Sequence, residues 1–160
     1  MAGNATWAGG ASYEWEINSF LGSAGTNWDF LNIAGTLNIT ATSSSKFLID
    51  VVSLLANNTA GDASGFAPQW DYSLAIATAA GGIEGFNSSA FDIDLSGFSN
   101  SRDYAPWMSH ANYAPGSFSL GLSGDNKSIM LNYARAIPEP SSAVLTLVGL
   151  GWMAIRRRRR

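Results

Sequence analysis

An all-β domain is what this sequence predicts, either a β-sandwich or the capping end of a β-solenoid, followed by an extended linker and one short C-terminal transmembrane helix. Three observations carry that expectation. Period-two alternation of apolar and polar residues recurs along the chain, which is the signature of half-buried strands. Gly, Asn and Ser separate the alternating segments, as turn residues do. Before residue 141 no apolar stretch holds a period of 3.6 for three turns, so an α-helical core has no sequence to be built from.

Taken in order, Tyr13, Trp15 and Ile17 share one face of a segment whose other face carries Glu14 and Glu16, and Gly22 to Gly25 break it. Leu31 to Ile33 and Leu37 to Ile39 follow, parted by Ala34-Gly35. Phe47, Ile49 and Val51 then alternate with Leu48, Asp50 and Val52, and Tyr72, Leu74 and Ile76 repeat the pattern before Gly81-Gly82. Phe91, Ile93 and Leu95 oppose Asp92 and Asp94; Phe118, Leu120 and Leu122 come next, then Ile129, Leu131 and Tyr133. Seven or eight strands are expected from these runs. Ser123-Gly124-Asp125-Asn126 reads as a hairpin turn between the last two. Ser99 to Pro115, with Pro106, Trp107 and His110 among polar residues, reads as a long surface loop. No internal repeat of fixed period is visible.

Composition limits function. Five of the nine basic residues are Arg156 to Arg160; the rest of the chain sets Lys46, Arg102, Lys127 and Arg135 against twelve acidic residues. An acidic body repels phosphate backbones, so no nucleic-acid partner is expected. With no cysteine, disulfides, thiolate metal sites and cysteine nucleophiles are excluded. Met1 to Phe20 shows neither a basic n-region nor an apolar h-region, since Asn4, Glu14, Glu16 and Asn18 interrupt it. The expectation is that the chain closes a longer protein or that its true start lies upstream.

Two domains follow: a β-rich extracytoplasmic body at 1–135 and a tail at 136–160. In the linker, 136–142, Pro138 and Pro140 lack amide donors and hold their predecessors extended. Residues 143–155, including Ala143, Val144, Leu145, Leu147, Val148, Leu150, Trp152 and Ile155, form an apolar run whose one hydroxyl, on Thr146, can bond back to a helix. Counted from Ser141, such a helix is about 22 Å long, short of a hydrocarbon core of roughly 30 Å. Local thinning of the bilayer and snorkelling arginines accommodate that, which points to a transient anchor. Arg156, Arg157, Arg158, Arg159 and Arg160 supply a stop-transfer cluster on the cytoplasmic side. On length alone the apolar run could equally be a core helix.

The order Pro138-Glu139-Pro140-Ser141-Ser142, short apolar helix, terminal arginines resembles the PEP-CTERM sorting signal. That resemblance implies export, insertion in the inner membrane as a precursor with a cytoplasmic C-terminus, and cleavage near Pro138-Glu139-Pro140 by an exosortase-type membrane protease. The body would then pass to the cell surface or an extracellular, biofilm matrix. More loosely, Trp15-Glu16-Ile17-Asn18, Gly22 to Gly25, Asn27-Trp28-Asp29, Leu31-Asn32-Ile33 and Gly35-Thr36-Leu37 are similar to the closing segment of autotransporter-like β-solenoid surface proteins. No catalytic residue is attributed to that segment.

Catalytic chemistry finds little support in the residues. His110 is the only histidine; Asp103 and many serines could complete a triad on paper, yet no Gly-x-Ser-x-Gly elbow surrounds any serine. His110 is therefore read as a loop residue. Asp92 and Asp94 share a strand face but lack the further oxygen ligands of a calcium loop, so they read as solvated carboxylates and no metal or cofactor is expected. Trp70, Trp107 and Tyr104 could stack on sugar rings, which makes an extracellular polysaccharide a second partner and a carbohydrate-binding module, or the end of a carbohydrate-active enzyme, the alternative to a non-enzymatic surface protein. Asn-x-Ser/Thr triplets at Asn4, Asn38, Asn57, Asn87 and Asn126 are expected by chance at this composition.

Overall fold

The computed structural model describes residues 1–102 and 115–136. The linker, the apolar segment and the arginine cluster of the tail lie outside the described residues, except for Ala136, and so do Asp103, Tyr104, Trp107 and His110. Among the described residues there are ten strands, one 3₁₀ turn at Ser88–Ala90 and no α-helix. No described helix is long and apolar enough to cross a membrane.

The strands are β1 (Ala5–Trp7), β2 (Ser12–Ile17), β3 (Leu31–Ile33), β4 (Leu37–Ile39), β5 (Phe47–Ser53), β6 (Tyr72–Ala79), β7 (Ile83–Glu84), β8 (Phe91–Asp94), β9 (Ser117–Leu122) and β10 (Ser128–Ala134). They form three small sheets, β1-β4-β7, β2-β5-β8 and β3-β6-β10-β9. Every third strand pairs in parallel, so the chain visits the three sheets in turn and stacks each circuit on the one before. We call one such circuit a coil. Ala5 lies beside Leu37 and Leu37 beside Ile83, steps of unequal length, which is why no fixed repeat shows in the sequence.

The third sheet breaks the pattern. Instead of β9 joining β6 directly, β10 is inserted antiparallel between them, so the last coil ends in a hairpin. Register between β6 and β10 shifts at Ile129/Met130, passing over Ile76, and both Ile76 and Ala77 face the core as a result. The expected hairpin turn is present: Asn126 N–H donates to the Ser123 carbonyl (3.0 Å), and Asn126 sits at φ +56°, the left-handed region that Asn tolerates. Two strands were not anticipated. β1 and β7 are three and two residues long, too short to show an alternation.

A single core cluster fills the centre. Trp15, Ile17, Ile33, Leu37, Ile49, Val51, Ile76 and Ile129 are fully buried, and each large apolar side chain contributes about 1.5–3 kcal/mol. Aromatic rings stack across coils: Trp7 lies on Phe47 with centroids 4.7 Å apart and planes 10° apart, and Phe91 meets both edge-on. A second aromatic group joins Phe20, Phe66, Tyr72, Phe98, Phe118 and Tyr133. Gly85, at φ +74°, brings its Cα so close to the Ile39 carbonyl that a Cβ would lie 2.4 Å from the oxygen, so only glycine fits there.

Two of the Asn-x-Ser/Thr triplets have a local structural use. Asn57 Oδ1 accepts from Thr59 N and Oγ1, and Asn87 Oδ1 accepts from Ser89 N and Oγ, so both close Asx turns.

Candidate functional site

Three surfaces among the described residues gather polar side chains. On the outer face of β2-β5-β8 the parallel register places Glu14 beside Asp50 and Asp50 beside Asp94. Asp92 is one residue column away and forms an ion pair with Lys46 (Nζ to Oδ1, 2.6 Å) that joins the second coil to the third. Asp94 Oδ1 accepts the Ser96 amide (2.8 Å), and the Ser96 amide and hydroxyl hold its carboxyl below the usual range. Each of the two candidate calcium ligands is therefore committed to a different protein partner. No cluster of three or more His, Asp or Glu able to hold a metal exists among the described residues.

A second acidic group gathers at the first coil. Burial, then Asp29, then Glu14 raise the Glu16 carboxyl above its ordinary value. Burial and Asp29 likewise raise the Tyr13 phenol, whose buried hydroxyl has no hydrogen-bond partner. Tyr13 packs against Trp7 and stays neutral.

The third surface is a shallow groove of about 480 Å³ where β6 meets β10, lined by Asp71, Tyr72, Ser73 and Asn132 to Arg135. Trp70, next to it in the chain, is 60% exposed, whereas Trp7 and Trp15 are core residues. The loop that presents Trp70 is fixed from inside. Phe66 stacks on Tyr72 and meets Tyr133 edge-on, the Tyr72 hydroxyl accepts from Ala67 N (2.8 Å), and the Tyr133 hydroxyl reaches the Pro68 carbonyl (3.2 Å). Trp70 N then closes a turn onto the Ala67 carbonyl (3.0 Å).

On the groove itself, Asp71 Oδ1 accepts the Arg135 amide (2.8 Å), and Arg135 Nη1 donates to the Gln69 carbonyl (3.4 Å). The Asp71–Arg135 side-chain pair is 4.0 Å apart and exposed, so it contributes at most about 1 kcal/mol. Ser73 Oγ donates to Asn132 Oδ1 (2.7 Å), which assigns the amide so that its Nδ2 lies on the β9 side. Gly121 leaves room for that amide, because a Cβ there would approach Asn132 Nδ2 to 3.1 Å.

A carboxylate, a guanidinium and an amide along one shallow groove, with an exposed indole at the preceding chain position, are groups that can meet a polyhydroxylated ligand. Of the three aromatic residues that could stack on sugars, Trp70 is exposed and precedes Asp71 of the groove in the chain, and Trp107 and Tyr104 lie outside the described residues. Asp71, Ser73, Asn132 and Arg135 were not anticipated. Only the antiparallel β6–β10 register, Ser73 opposite Asn132, brings them together, and nothing local in the sequence announces it.

No protein-family model, no curated protein and no solved structure matches this chain.

Proposed function

We propose that this chain is a non-enzymatic exported protein of the cell surface or extracellular matrix. Its tail is read and removed by an exosortase-type membrane protease, and its body is a β-solenoid unit ending in a hairpin. The observation that carries this is the fixed order of Pro138-Glu139-Pro140, an apolar 143–155 and Arg156–Arg160, placed directly after the folded body. The last strand ends at Ala134 and Arg135 is tied back to Asp71, so the recognition motif follows the body with only Ala136 and Ile137 between. The coil-by-coil parallel pairing supports the likeness to the closing segment of autotransporter-like solenoids. In this reading the apolar run is a transient inner-membrane span with the arginines in the cytoplasm. The test is fractionation of producing cells: Glu139→Ala should hold the full-length precursor in the inner membrane, and release equal to the parent's would overturn the sorting assignment.

A second reading is favoured by one observation, the exposed Trp70 next in the chain to Asp71, which lines the groove. In it the body binds an extracellular polysaccharide, with the indole stacking on a sugar ring and Asn132 donating to hydroxyls. Retention on the producer's own polymer should fall at least tenfold in Trp70→Ala, and an unchanged retention would exclude the groove.

A further inference from the structure

No described strand lies beneath the coil formed by β1, β2 and β3, so the outer edges of these strands should be free. β2 is the longest of these strands, and the C-terminal end of its outer edge, from Glu16 to Asn18, is occupied by the chain itself. The segment Asn27–Asp29 runs back antiparallel along it: Asp29 N–H donates to the Glu16 carbonyl (2.9 Å), Asn18 N–H donates to the Asn27 carbonyl (2.9 Å), and Ile17 faces Trp28 across the bridge. Two indoles fasten this return. Trp15 Nε1 donates to the Asp29 carbonyl (2.7 Å), and Trp28 Nε1 donates to the Ala75 carbonyl (3.0 Å), which lies beyond the reach of the β3 ladder on β6. Asn27 Nδ2 adds a bond to Asn18 Oδ1 (3.2 Å), and Asn18 in turn donates to Asn58 of the second coil (2.9 Å).

We infer that Asn27–Asp29 is an edge cap that blocks association of this chain with a second copy of itself. The partner that the covered edge fits is defined by the fold. β2, β5 and β8 form one parallel ladder, and the outer edge of β8 pairs with no described strand. Uncovered, the β2 edge of one molecule would accept the β8 edge of another in the same direction. A contact between two different surfaces of the same molecule does not close, so it propagates into a fibre. β3 is guarded in a similar way: its Asn32 carbonyl and Ala34 amide both bond to Met1. The inference rests on the hydrogen-bond geometry alone and stands whether or not the sorting assignment holds.

Two variants separate the cap's anchor from its ladder. Trp28→Ala removes the indole bond to Ala75, and Asp29→Pro deletes the one amide that donates to Glu16 while keeping the carbonyl that Trp15 uses. With the full chain in one mild detergent, both variants should keep the parent's far-ultraviolet β signal yet sediment as larger species as concentration rises. The parent should not. In the parent, Asn18 and Asp29 amides should exchange on the order of 100-fold more slowly than unprotected amides. In Asp29→Pro, Asn18 should lose that protection when dilute and regain it when associated. Folded variants that sediment like the parent at every concentration would overturn the inference. If a variant loses its β signal, the parent decides: unprotected exchange at Asn18 and Asp29 overturns the cap, and slow exchange at both upholds the covered edge.

Discussion

The β2-β5-β8 ladder and the β9–β10 hairpin are built from the same alternating pattern, yet they hold together in different ways. In the ladder, Trp15 meets Val51 and Phe47 meets Phe91, partners brought together only after a whole coil has been laid down. In the hairpin, Leu122 meets Ile129 across a four-residue turn whose bonds are local. The ladder depends on closing long loops and on burying side chains between coils; the hairpin depends on its turn. Both feed one core, because Trp15, Leu120 and Leu131 belong to the same buried cluster.

That shared core makes the largest predicted effect. Trp15→Ala should cost about 3–5 kcal/mol, and urea unfolding followed by circular dichroism and by indole fluorescence should remain one coincident transition. A hairpin that outlasts the ladder would break the single-core description. Ser53→Ala comes next. Ser53 is the one fully buried polar residue among the described ones, and its Oγ accepts the Ser99 amide (2.7 Å) between the second and third coils. Losing that acceptor should cost about 1–2 kcal/mol, and with one shared core the slowest-exchanging amides of β5 and of β9 should lose the same protection.

The turns sharpen the contrast. Asn58 (φ +59°) and Asn126 (φ +56°) share the left-handed conformation, so alanine at either should cost about 1 kcal/mol. Asn58→Ala also loses the bond from Asn18, and its midpoint of unfolding should drop further than that of Asn126→Ala.

Titration of Glu16 in the ladder and of Asp125 in the hairpin acts with opposite signs, and these effects are the smallest. Glu16 has its pKa raised, so the folded chain holds a proton that the unfolded chain has released; stability falls as pH rises through that window. Glu16→Gln should therefore stabilise by a few tenths of a kcal/mol at neutral pH and not at all below the carboxylate range. Asp125, held low by the Ser123 hydroxyl and the Lys127 amide, acts the other way: the hairpin turn keeps its contribution above the ordinary carboxylate pKa and loses it as pH falls through the lowered one. Thermal melts of parent, Glu16→Gln and Asp125→Asn across pH 3–8 check both signs.

How much of this was legible follows from the same contrast. Alternation located eight of the strands, and Ser123 to Asn126 announced the hairpin, because those signals are local. Parallel stacking left no local mark: coil lengths differ, so Leu37 under Ile83 and Ser12 beside Leu48 could not be read as a period. The alternating strands left a sandwich and a solenoid end both open, and three small sheets around one core are what the pairing gives. The groove was half legible. Trp70 stood out as an aromatic residue among polar ones, whereas Asn132 and Arg135 acquire meaning only from lying beside Ser73 and Asp71.

The column Glu14, Asp50, Asp94 has a further physical consequence. Parallel in-register pairing repeats one position at a spacing of about 4.8 Å, so like charges recur along the stack axis at less than the roughly 8 Å over which physiological salt screens them. Part of the repulsion persists in that salt, and more is removed as ionic strength rises. Monovalent salt should then firm up this body instead of loosening it, the reverse of what a protein held by surface ion pairs does, and low-conductivity water becomes its harshest ordinary solvent.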